Sequence, residues 1–293
     1  MPELPEVQTT VSGLASHIRG LVINDVWTEY NSPYFHGSDT IKNPEYFKYF
    51  KKSIKGAKIV NVTRRAKNIL IHLSNTFTIL IHMKMTGHVM YGDYNKKDPF
   101  NRFIRLIFYL SNEKTMELCD TRKFAKVTLL KTETMHETTH LKNIGPEPLE
   151  KEFTLAIFKS QLSKKLNGKI KLVLMDQSII AGIGNIYADE SLWRANIHPE
   201  TMISHLLNQK NNDKLSNLYR VIRTTLSSGI DFGGDSMSDY RNIHGERGKF
   251  QEQHMAYRKT GTKCLKKGCG GKIKRIVLGG RGTHFCDIHQ KKL

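Results

Sequence analysis

Four side chains near the end of the chain have the types and the spacing of a metal site. Cys264 and Cys269 form one pair, Cys286 and His289 form a second, and the residues between the pairs can form a β-hairpin. Zinc binds four nitrogen or sulfur ligands tetrahedrally, and two closely spaced ligands can hold one ion from a single turn. A closed set of four ligands predicts one structural Zn²⁺, not a catalytic metal. The alternative is three cysteines beside a histidine by chance.

A candidate phosphate-binding side chain lies between those ligand pairs. The sequence IKRIVLGGRGTHF surrounds Arg281 with Gly279, Gly280 and Gly282. The glycines predict a tight hairpin tip that presents one guanidinium, and a guanidinium can bind a phosphate through two hydrogen bonds. A solvated surface arginine would explain the same spacing.

A second phosphate-binding pattern is MDQSIIAGIGNIYADESLW, in which a glycine-rich turn leads into a helix predicted to begin near Asn185. Backbone N–H groups at a helix start, together with the Asn185 amide, can bind a phosphate. Just upstream, Lys164, Lys165, Lys169 and Lys171 add positive charge. Close packing of the turn on the helix and a merely solvated lysine face remain alternatives.

The charge of the whole chain also indicates a polyanionic partner. Lys and Arg number 46 against 27 Asp and Glu, a net charge of +19. Residues 241–293 alone hold 14 Lys and Arg against three acids. Nucleic acid and an anionic membrane both fit such a charge. No apolar run is long enough for a membrane span, and the start MPELPE does not resemble a signal peptide, so we expect a cytoplasmic protein without a membrane segment.

Hydrophobic periodicity predicts a sheet region followed by a helical region. Residues 2–19 should form a helix, with Val7, Val11, Leu14 and Ile18 on one face. Short β-rich runs between 21 and 130, such as KIVNVTRR, NILIHL, FTILIHMKM, FIRLIFYL and KVTLL, predict a β-sandwich. The sandwich is interrupted at 31–50 by a loop carrying a short helix. Helical periodicity returns in 153–165, 187–195 and 214–227. Residues 236–255 are polar without a period, so we expect a mobile loop there.

Three separated motifs converge on one family. The start PELPEV, the segment AGIGNIYADESLW and the ending GRGTHFC with its metal ligands resemble the formamidopyrimidine-DNA glycosylase family of bacterial repair enzymes. RRAKNILIHL, HMKMTGHV, CDTRKFAK and GGDSMSDYRNIHGERGKFQ extend the similarity in order over nearly the whole chain. The resemblance implies excision of oxidised purines from duplex DNA, followed by strand cleavage at the abasic site through β,δ-elimination.

The family's architecture would be α+β, and it divides this chain into four regions. An N-terminal helix and a β-sandwich would form a catalytic domain over 1–145, and a helix-two-turn-helix DNA-binding domain would cover 146–235. A lesion-covering loop region would follow at 236–255, and a zinc finger at 256–293. We expect a monomer acting on double-stranded DNA at the nucleoid.

The resemblance also assigns roles to individual residues. Pro2 would be the nucleophile, Glu3 a proton donor, and Lys67 and Arg281 the proton donors in β- and δ-elimination. Glu6 would support the site. The residues implied to contact DNA are Glu6, Met85, Arg122, Phe124, Lys165, Lys171 and Asn185, of which Met85, Arg122 and Phe124 would fill the gap left by a flipped base.

These residue types suit that chemistry. An α-amino group titrates near pH 8 and a lysine amine near 10.4, so a free N-terminal amine is the better nucleophile at neutral pH. A free Pro2 amine requires removal of Met1. Base flipping leaves a vacated stack that Met, Arg and Phe side chains can refill. Taken without the family match, Glu3 and Glu6 are ordinary first-turn acids and Met85 and Phe124 are core residues.

The chain departs from the family pattern in several places. The fourth zinc ligand, His289, is normally cysteine, and four residues separate Cys264 from Cys269 where the family has two. Phe103 stands where many members have a DNA-contacting histidine. The wedge segment reads TRKFAK, and the 31–50 stretch is an insertion without an assigned role.

Two alternatives from other classes remain. A non-catalytic binder of damaged DNA could share the fold, but the set Pro2, Glu3, Lys67 and Arg281 argues against it. A zinc-dependent transcription factor would bind one undamaged sequence tightly, whereas the repair hypothesis predicts weak, salt-sensitive binding to undamaged duplex.

Overall fold

The computed structural model describes residues 1–30 and 39–293. Contacts divide the chain into two units. The N-terminal unit comprises Met1–Lys142 and Phe232–Gln251, and the C-terminal unit comprises Asn143–Asp231 and Glu252–Leu293. The chain therefore returns to its first unit for a short segment after the last long helix.

The predicted N-terminal helix is confirmed as α1 (Leu4–Ile18). Glu3 is its N-cap, and Pro5 lies in the first turn, where the missing N–H costs no intrahelical hydrogen bond. The apolar stripe Val7, Val11, Leu14 and Ile18 is buried. This stripe attaches α1 to the sheets that follow.

The N-terminal unit contains two four-stranded antiparallel sheets. Their strands are β1 (Ile23–Thr28), β2 (Ile59–Arg65), β3 (Asn68–Leu73), β4 (Phe77–His82), β5 (Gly87–Tyr91), β6 (Ile104–Leu110), β7 (Thr115–Asp120) and β8 (Lys126–Lys131). One sheet has the order β1-β6-β7-β5 and the other β2-β3-β4-β8. Side chains of both sheets and of α1 share one apolar core, which confirms the sandwich.

The insertion at 31–50 lies partly outside the described residues, which resume at Asp39. Its predicted short helix begins at Pro44 as α2 (Pro44–Ile54), and the Asn43 side chain caps it by accepting from the backbone N–H groups of Glu45 and Tyr46. Phe50 and Ile54 are buried in the sandwich core. Helix α2 therefore covers that core.

The C-terminal unit is helical and ends in a β-hairpin. Its helices are α3 (Leu155–Ser163), α4 (Ile170–Met175), α5 (Asn185–Ala195), α6 (Ile203–Leu206) and α7 (Asn212–Asp231). The hairpin consists of β9 (Ile273–Leu278) and β10 (Arg281–Cys286). None of the helices within 1–30 and 39–293 combines the length and the apolar character that a bilayer crossing would need.

Candidate functional site

The first turn of α1 holds the residues assigned to the nucleophile and its acids. Pro2 is buried behind the exposed Met1, and Glu3 and Glu6 are 2% and 1% exposed. The two glutamates form a capping box, in which each carboxylate accepts from the backbone N–H of the other. Glu6 Oε2 accepts from Glu3 N at 2.7 Å. This pairing fixes the peptide that follows Pro2.

Glu6 also binds a segment far away in sequence. Its Oε1 accepts from the backbone N–H of Asp235 at 2.7 Å, and its carbonyl accepts from the Tyr240 hydroxyl at 3.0 Å. A Cβ added to Gly234, which has φ +86°, would stand 3.0 Å from Glu6 Cγ. The close approach therefore requires glycine at 234, and Glu6 joins the chain start to the segment beyond that glycine.

Lys67 lies in the tight turn between β2 and β3 and is 6% exposed. The preceding Ala66 has φ +51°, a left-handed conformation that costs an L-residue about 1–2 kcal/mol and often marks functional sites. Arg64 supports this turn: it donates to the Ala66 carbonyl and to Gln8 Oε1 on α1. The lysine turn is thereby tied to the helix that begins next to Pro2.

His82 adds a neutral imidazole close to Lys67. Burial, with the positive charges of Lys84 and Lys67, lowers its pKa to about 3. Its Nδ1 accepts from the backbone N–H of Lys84 at 2.9 Å. The ring is uncharged at neutral pH and holds the turn that leads to Met85.

The three predicted wedge residues lie together on the surface. The Arg122 guanidinium stands 4.5 Å from the Phe124 ring centroid, and its Nη1 is 3.8 Å from Met85 Sδ. Met85 and Phe124 are 45% and 46% exposed, so about half of each apolar side chain faces solvent. Each follows a lysine in left-handed conformation, Lys84 and Lys123, so two sharp turns project them outward.

Asp120 holds both wedge turns, and the sequence analysis did not identify it. Its carboxylate is fully buried and accepts from Thr86 Oγ1 at 2.5 Å and from Ala125 N at 2.7 Å. It also accepts from Arg122 N and from the Tyr30 hydroxyl. The one signal in the sequence was a carboxylate directly before the basic wedge segment, in CDTRKFAK.

Phe103 occupies the position where many family members have a histidine, and two arginines flank it. The guanidinium carbons of Arg102 and Arg105 stand 5.3 and 5.8 Å from its ring centroid. Positive charge therefore remains at this position without an imidazole.

In the C-terminal unit, Asn185 opens α5 and contacts the β-hairpin. Its Nδ2 donates to the Gly282 carbonyl at 3.1 Å. Its Oδ1 is buried without a hydrogen-bond partner among the described residues. Gly282 directly follows Arg281, the first residue of β10, so the start of α5 contacts the strand that carries Arg281.

Arg281 is exposed at the hairpin tip. The turn consists of Gly279 and Gly280, with φ +54° and +72°, the positive pair that a tight two-residue hairpin requires. Lys165 is also exposed, with its Nζ 3.7 Å from Asp176 Oδ2. Both cations are exposed to solvent.

Lys171 was predicted to contact DNA, but the structure buries it. It is completely buried, and its ammonium pairs with the buried Asp189 carboxylate and donates to the Asn185 carbonyl at 3.1 Å. Asp189 Oδ2 in turn accepts from the backbone N and from Nδ1 of His284, each at 3.0 Å. Because this ammonium is buried in the ion pair, Lys171 joins α4 to α5, and Asp189 joins α5 to the hairpin. The predicted contact of Lys171 with DNA stays a prediction, and its burial argues against it.

The four predicted metal ligands converge. One donor atom from each of Cys264, Cys269, Cys286 and His289 lies within 4.8 Å of all the others. Tetrahedral ligands about 2.3 Å from a zinc ion stand about 3.8 Å apart, so the set fits one ion. The His289 Nε2–H donates to the Trp193 carbonyl at 3.2 Å, which leaves Nδ1 for the metal. The ion would hold the base of the hairpin against the end of α5.

The 236–255 region, expected to be a mobile loop, is extensively packed. Residues 236–251 belong to the N-terminal unit, and we call them the covering segment. Tyr240, Arg241, Ile243 and Phe250 are all buried. The polar composition of this region predicted exposure to solvent, but most of its polar side chains form hydrogen bonds within the N-terminal unit.

Three parts of the chain match known family models. Residues 1–127 match the formamidopyrimidine-DNA glycosylase N-terminal domain, 144–241 match the formamidopyrimidine-DNA glycosylase H2TH domain, and 261–287 match the zinc finger found in FPG and IleRS. The last match, with the ligand geometry, confirms the predicted zinc module.

Similar proteins extend over the full length. The formamidopyrimidine-DNA glycosylase of Bacillus subtilis is 37% identical over 292 residues, which cover 100% of both chains. That of Pelotomaculum thermopropionicum is 38% identical over 99% of both. The solved structure of Lactococcus lactis Fpg with an abasic site containing DNA has a TM-score of 0.84 at 32% identity, covering 99% of this chain and 100% of that one.

Proposed function

Because the chain belongs to the formamidopyrimidine-DNA glycosylase family, and is therefore a DNA glycosylase of base excision repair, we propose that it excises 8-oxoguanine and formamidopyrimidines from duplex DNA. We further propose that the same site cleaves the strand as an AP lyase by β,δ-elimination. The observation that carries this proposal is Pro2 at the start of α1, with the carboxylates of Glu3 and Glu6 in the same turn.

The Pro2 amine is the proposed nucleophile, and it becomes available when Met1 is removed. A bond forms from the Pro2 nitrogen to C1′ of the damaged nucleoside while the bond from C1′ to the base breaks, and the N–H proton of Pro2 passes to the leaving base. Glu3 then supplies a proton to the sugar ring oxygen as the ring opens. The product is a positively charged iminium between Pro2 and C1′.

The iminium prepares strand cleavage because it acidifies the C2′ proton. Solvent water takes up the C2′ proton, a C2′–C3′ double bond forms, and the 3′ phosphate leaves with the electron pair of the C3′–O bond. Loss of the C4′ proton to water then expels the 5′ phosphate as the C5′–O bond breaks. We assign the proton donors of these two steps to Lys67 and Arg281. The buried Lys67 turn, tied to α1 through Arg64, supports the first assignment, and the exposed guanidinium at the hairpin tip supports the second.

The remaining contacts bind and distort the duplex. Met85, Arg122 and Phe124 would enter the stack when the damaged nucleotide leaves it, which their joint exposure supports. Asn185, Arg281 and Lys165 would bind phosphates. Bound zinc would act structurally by keeping β9 and β10 folded. We propose that the protein works as a monomer. We place it at the nucleoid because its proposed substrate is DNA.

Borohydride trapping on abasic duplex DNA tests the nucleophile. Protein whose Met1 has been removed, verified by intact mass, should form a covalent adduct that maps to Pro2. A matched control carries an N-terminal extension, in which the Pro2 nitrogen is an amide. It should bind DNA and give no adduct at Pro2. No adduct from the processed protein, or an adduct elsewhere of equal yield, would overturn the proposal.

The Glu3→Gln variant tests the role of Glu3 as proton donor while the Pro2 nucleophile stays intact. Loss of a general acid lowers a rate by about a hundredfold or more. We expect such a loss in single-turnover excision of 8-oxoguanine, with binding to an abasic analogue within about twofold of the parent protein. Excision at the parent rate would contradict the role of Glu3.

A further inference from the structure

Arg241 is a buried arginine in the covering segment, and its guanidinium is held from several sides. Nε and Nη2 donate to the two oxygens of Asp98, at 2.6 and 3.2 Å. Nη1 donates to the carbonyls of Ser238 and Tyr240, at 2.9 and 2.7 Å. The guanidinium carbon lies 4.9 Å from the Phe100 ring centroid. Only 4% of the Arg241 side chain is exposed.

The local structure around Asp98 positions its carboxylate for the ion pair with Arg241. It precedes the short 3-10 helix Pro99–Arg102, and its Oδ1 caps that helix by accepting from Phe100 N. Burial alone would raise its pKa, but the hydrogen bonds from Arg241 and Phe100 outweigh burial and hold the pKa below its usual value. The pair is thus a charged, bidentate contact on a rigid element.

The pair fixes the bend of the covering segment. The carbonyls of Ser238 and Tyr240 converge on Arg241, and these two residues flank Asp239 in the bend that follows the exposed Met237. The Tyr240 hydroxyl donates to the carbonyl of Glu6 in the first turn of α1. The adjacent residues Tyr240 and Arg241 therefore attach the end of this bend to the proposed active site and to residues 92–103 between β5 and β6, which we call the Asp98 loop.

Backbone contacts continue the attachment beyond Arg241. Tyr91 N donates to the Ile243 carbonyl at 2.8 Å, and Asn95 N donates to the His244 carbonyl at 2.9 Å. The Asn101 amide donates to the Gly245 carbonyl at 2.9 Å and contacts the buried His88 ring. The end of β5 and the Asp98 loop therefore together support residues 241–245, and Arg241 supplies the charged contact at the start.

We propose that the Asp98–Arg241 pair is a specificity-determining latch that holds the covering segment in the shape needed to recognise an oxidised base. This inference rests on the proposed glycosylase function. A segment that is ordered in advance loses less conformational entropy when it closes over a flipped base. An abasic site has no base to cover, so cleavage there does not need the latch. Arg241 and Asp98 act as positioning residues and touch no reacting atom.

Variants at the two positions test the latch. Arg241→Gln and Asp98→Asn should each lower the single-turnover rate of 8-oxoguanine excision by about tenfold, because each removes the bidentate contact and leaves the other charge without its partner. The rate of abasic-site cleavage should stay within about twofold. The double variant should lose no more than the worse single variant, since both act through one contact. Lys249→Gln, which removes one exposed positive charge from the same segment, should leave both rates unchanged.

Amide hydrogen exchange provides a readout independent of activity. In Arg241→Gln, exchange should accelerate at Ile243, His244 and Gly245 and stay unchanged in β3 and β4, which shows a local and not a global loosening. If Arg241→Gln lost 8-oxoguanine excision and abasic-site cleavage equally, the latch would be overturned. It would also be overturned if the variant kept both the amide exchange rates and the substrate preference of the parent protein. If the parent protein cleaved neither substrate, the proposed function itself would fail, a result distinct from failure of the latch. Should Arg241→Gln not fold, Arg241→Lys keeps the charge but loses the bidentate contact and should show the same selective loss.

Discussion

Several single residues combine a charge with nearly complete burial, and each has a specific partner. Lys171 pairs with Asp189, Arg241 pairs with Asp98, and Glu6 accepts from two backbone N–H groups. Burying an unpaired charge is costly, so these side chains are committed to holding structure. A lysine in a basic stretch is therefore not by itself a DNA contact.

Lys171 and Lys165 form a matched pair that separates the two roles. Lys171→Ala leaves Asp189 buried without its cation, and we expect a loss of roughly 3–5 kcal/mol in the free energy of unfolding. Lys165→Ala removes an exposed charge, so stability should stay the same while the slope of log binding constant against log salt falls by about one. Denaturant unfolding and salt titrations of duplex binding measure both. A Lys171 variant of parent stability with a reduced salt slope would restore the original prediction of a phosphate contact.

At the scale of elements, the proposed wedge comes from two turns of different strand pairs. The β4–β5 turn carries Met85 and the β7–β8 connection carries Arg122 and Phe124. Asp120 accepts hydrogen bonds from both turns, and Lys42 donates to the Lys123 carbonyl at 2.7 Å from just before α2. The wedge is thus shaped by residues that do not belong to it.

Asp120→Asn should therefore impair the wedge without removing any of its side chains. An amide would direct a donor at groups that already donate, at a cost of about 1–3 kcal/mol for each unsatisfied group. We expect 2-aminopurine opposite the lesion to brighten less on binding than with the parent protein, approaching Phe124→Ala. Tyr30→Phe, which removes one hydrogen bond to the Asp120 carboxylate and keeps those from Thr86, Arg122 and Ala125, should have a smaller effect. An unchanged fluorescence response in Asp120→Asn would remove this role from Asp120.

At the scale of the whole molecule, charge and metal are both concentrated near the chain end. Residues 241–293 carry 14 of the 46 Lys and Arg residues, and the four metal ligands lie among them. Such a short β-hairpin buries too little apolar surface to be stable alone, so a bound ion supplies folding free energy. The hairpin that presents Arg281 depends on that ion.

Metal removal should therefore abolish DNA binding before it abolishes the rest of the fold. Elemental analysis should give one zinc per chain, and a chelator should weaken duplex binding by about tenfold or more while the helical circular dichroism signal largely persists. Cys269→Ser should lose the zinc, whereas His289→Cys should retain it. Cys119→Ser is the control: it should bind as much zinc per chain as the parent protein, because that buried thiol lies outside the ligand group. Full DNA affinity in zinc-free protein would contradict this dependence.

The predicted fold was confirmed where a pattern within a few residues determines the element. The stripe of α1, the runs that became β2, β3, β4, β6 and β8, and the glycine tip before Arg281 all appear. Strands β1, β5 and β7 were not singled out, because their polar residues, such as Glu117 and Asp120, find buried partners that no local pattern reveals. The zinc ligands were predictable because each pair lies within one turn.

By itself, the sequence determined the family, the α+β class and the metal set, since ordered motifs and ligand spacing are properties of the linear chain. The roles of Pro2, Glu3, Lys67 and Arg281 and the domain boundaries stay predictions. Only the tertiary structure decided that Lys171 faces inward and that the covering segment is packed. The reason is separation: Asp98 and Arg241 are 143 residues apart, and only folding brings such charges within hydrogen-bonding distance.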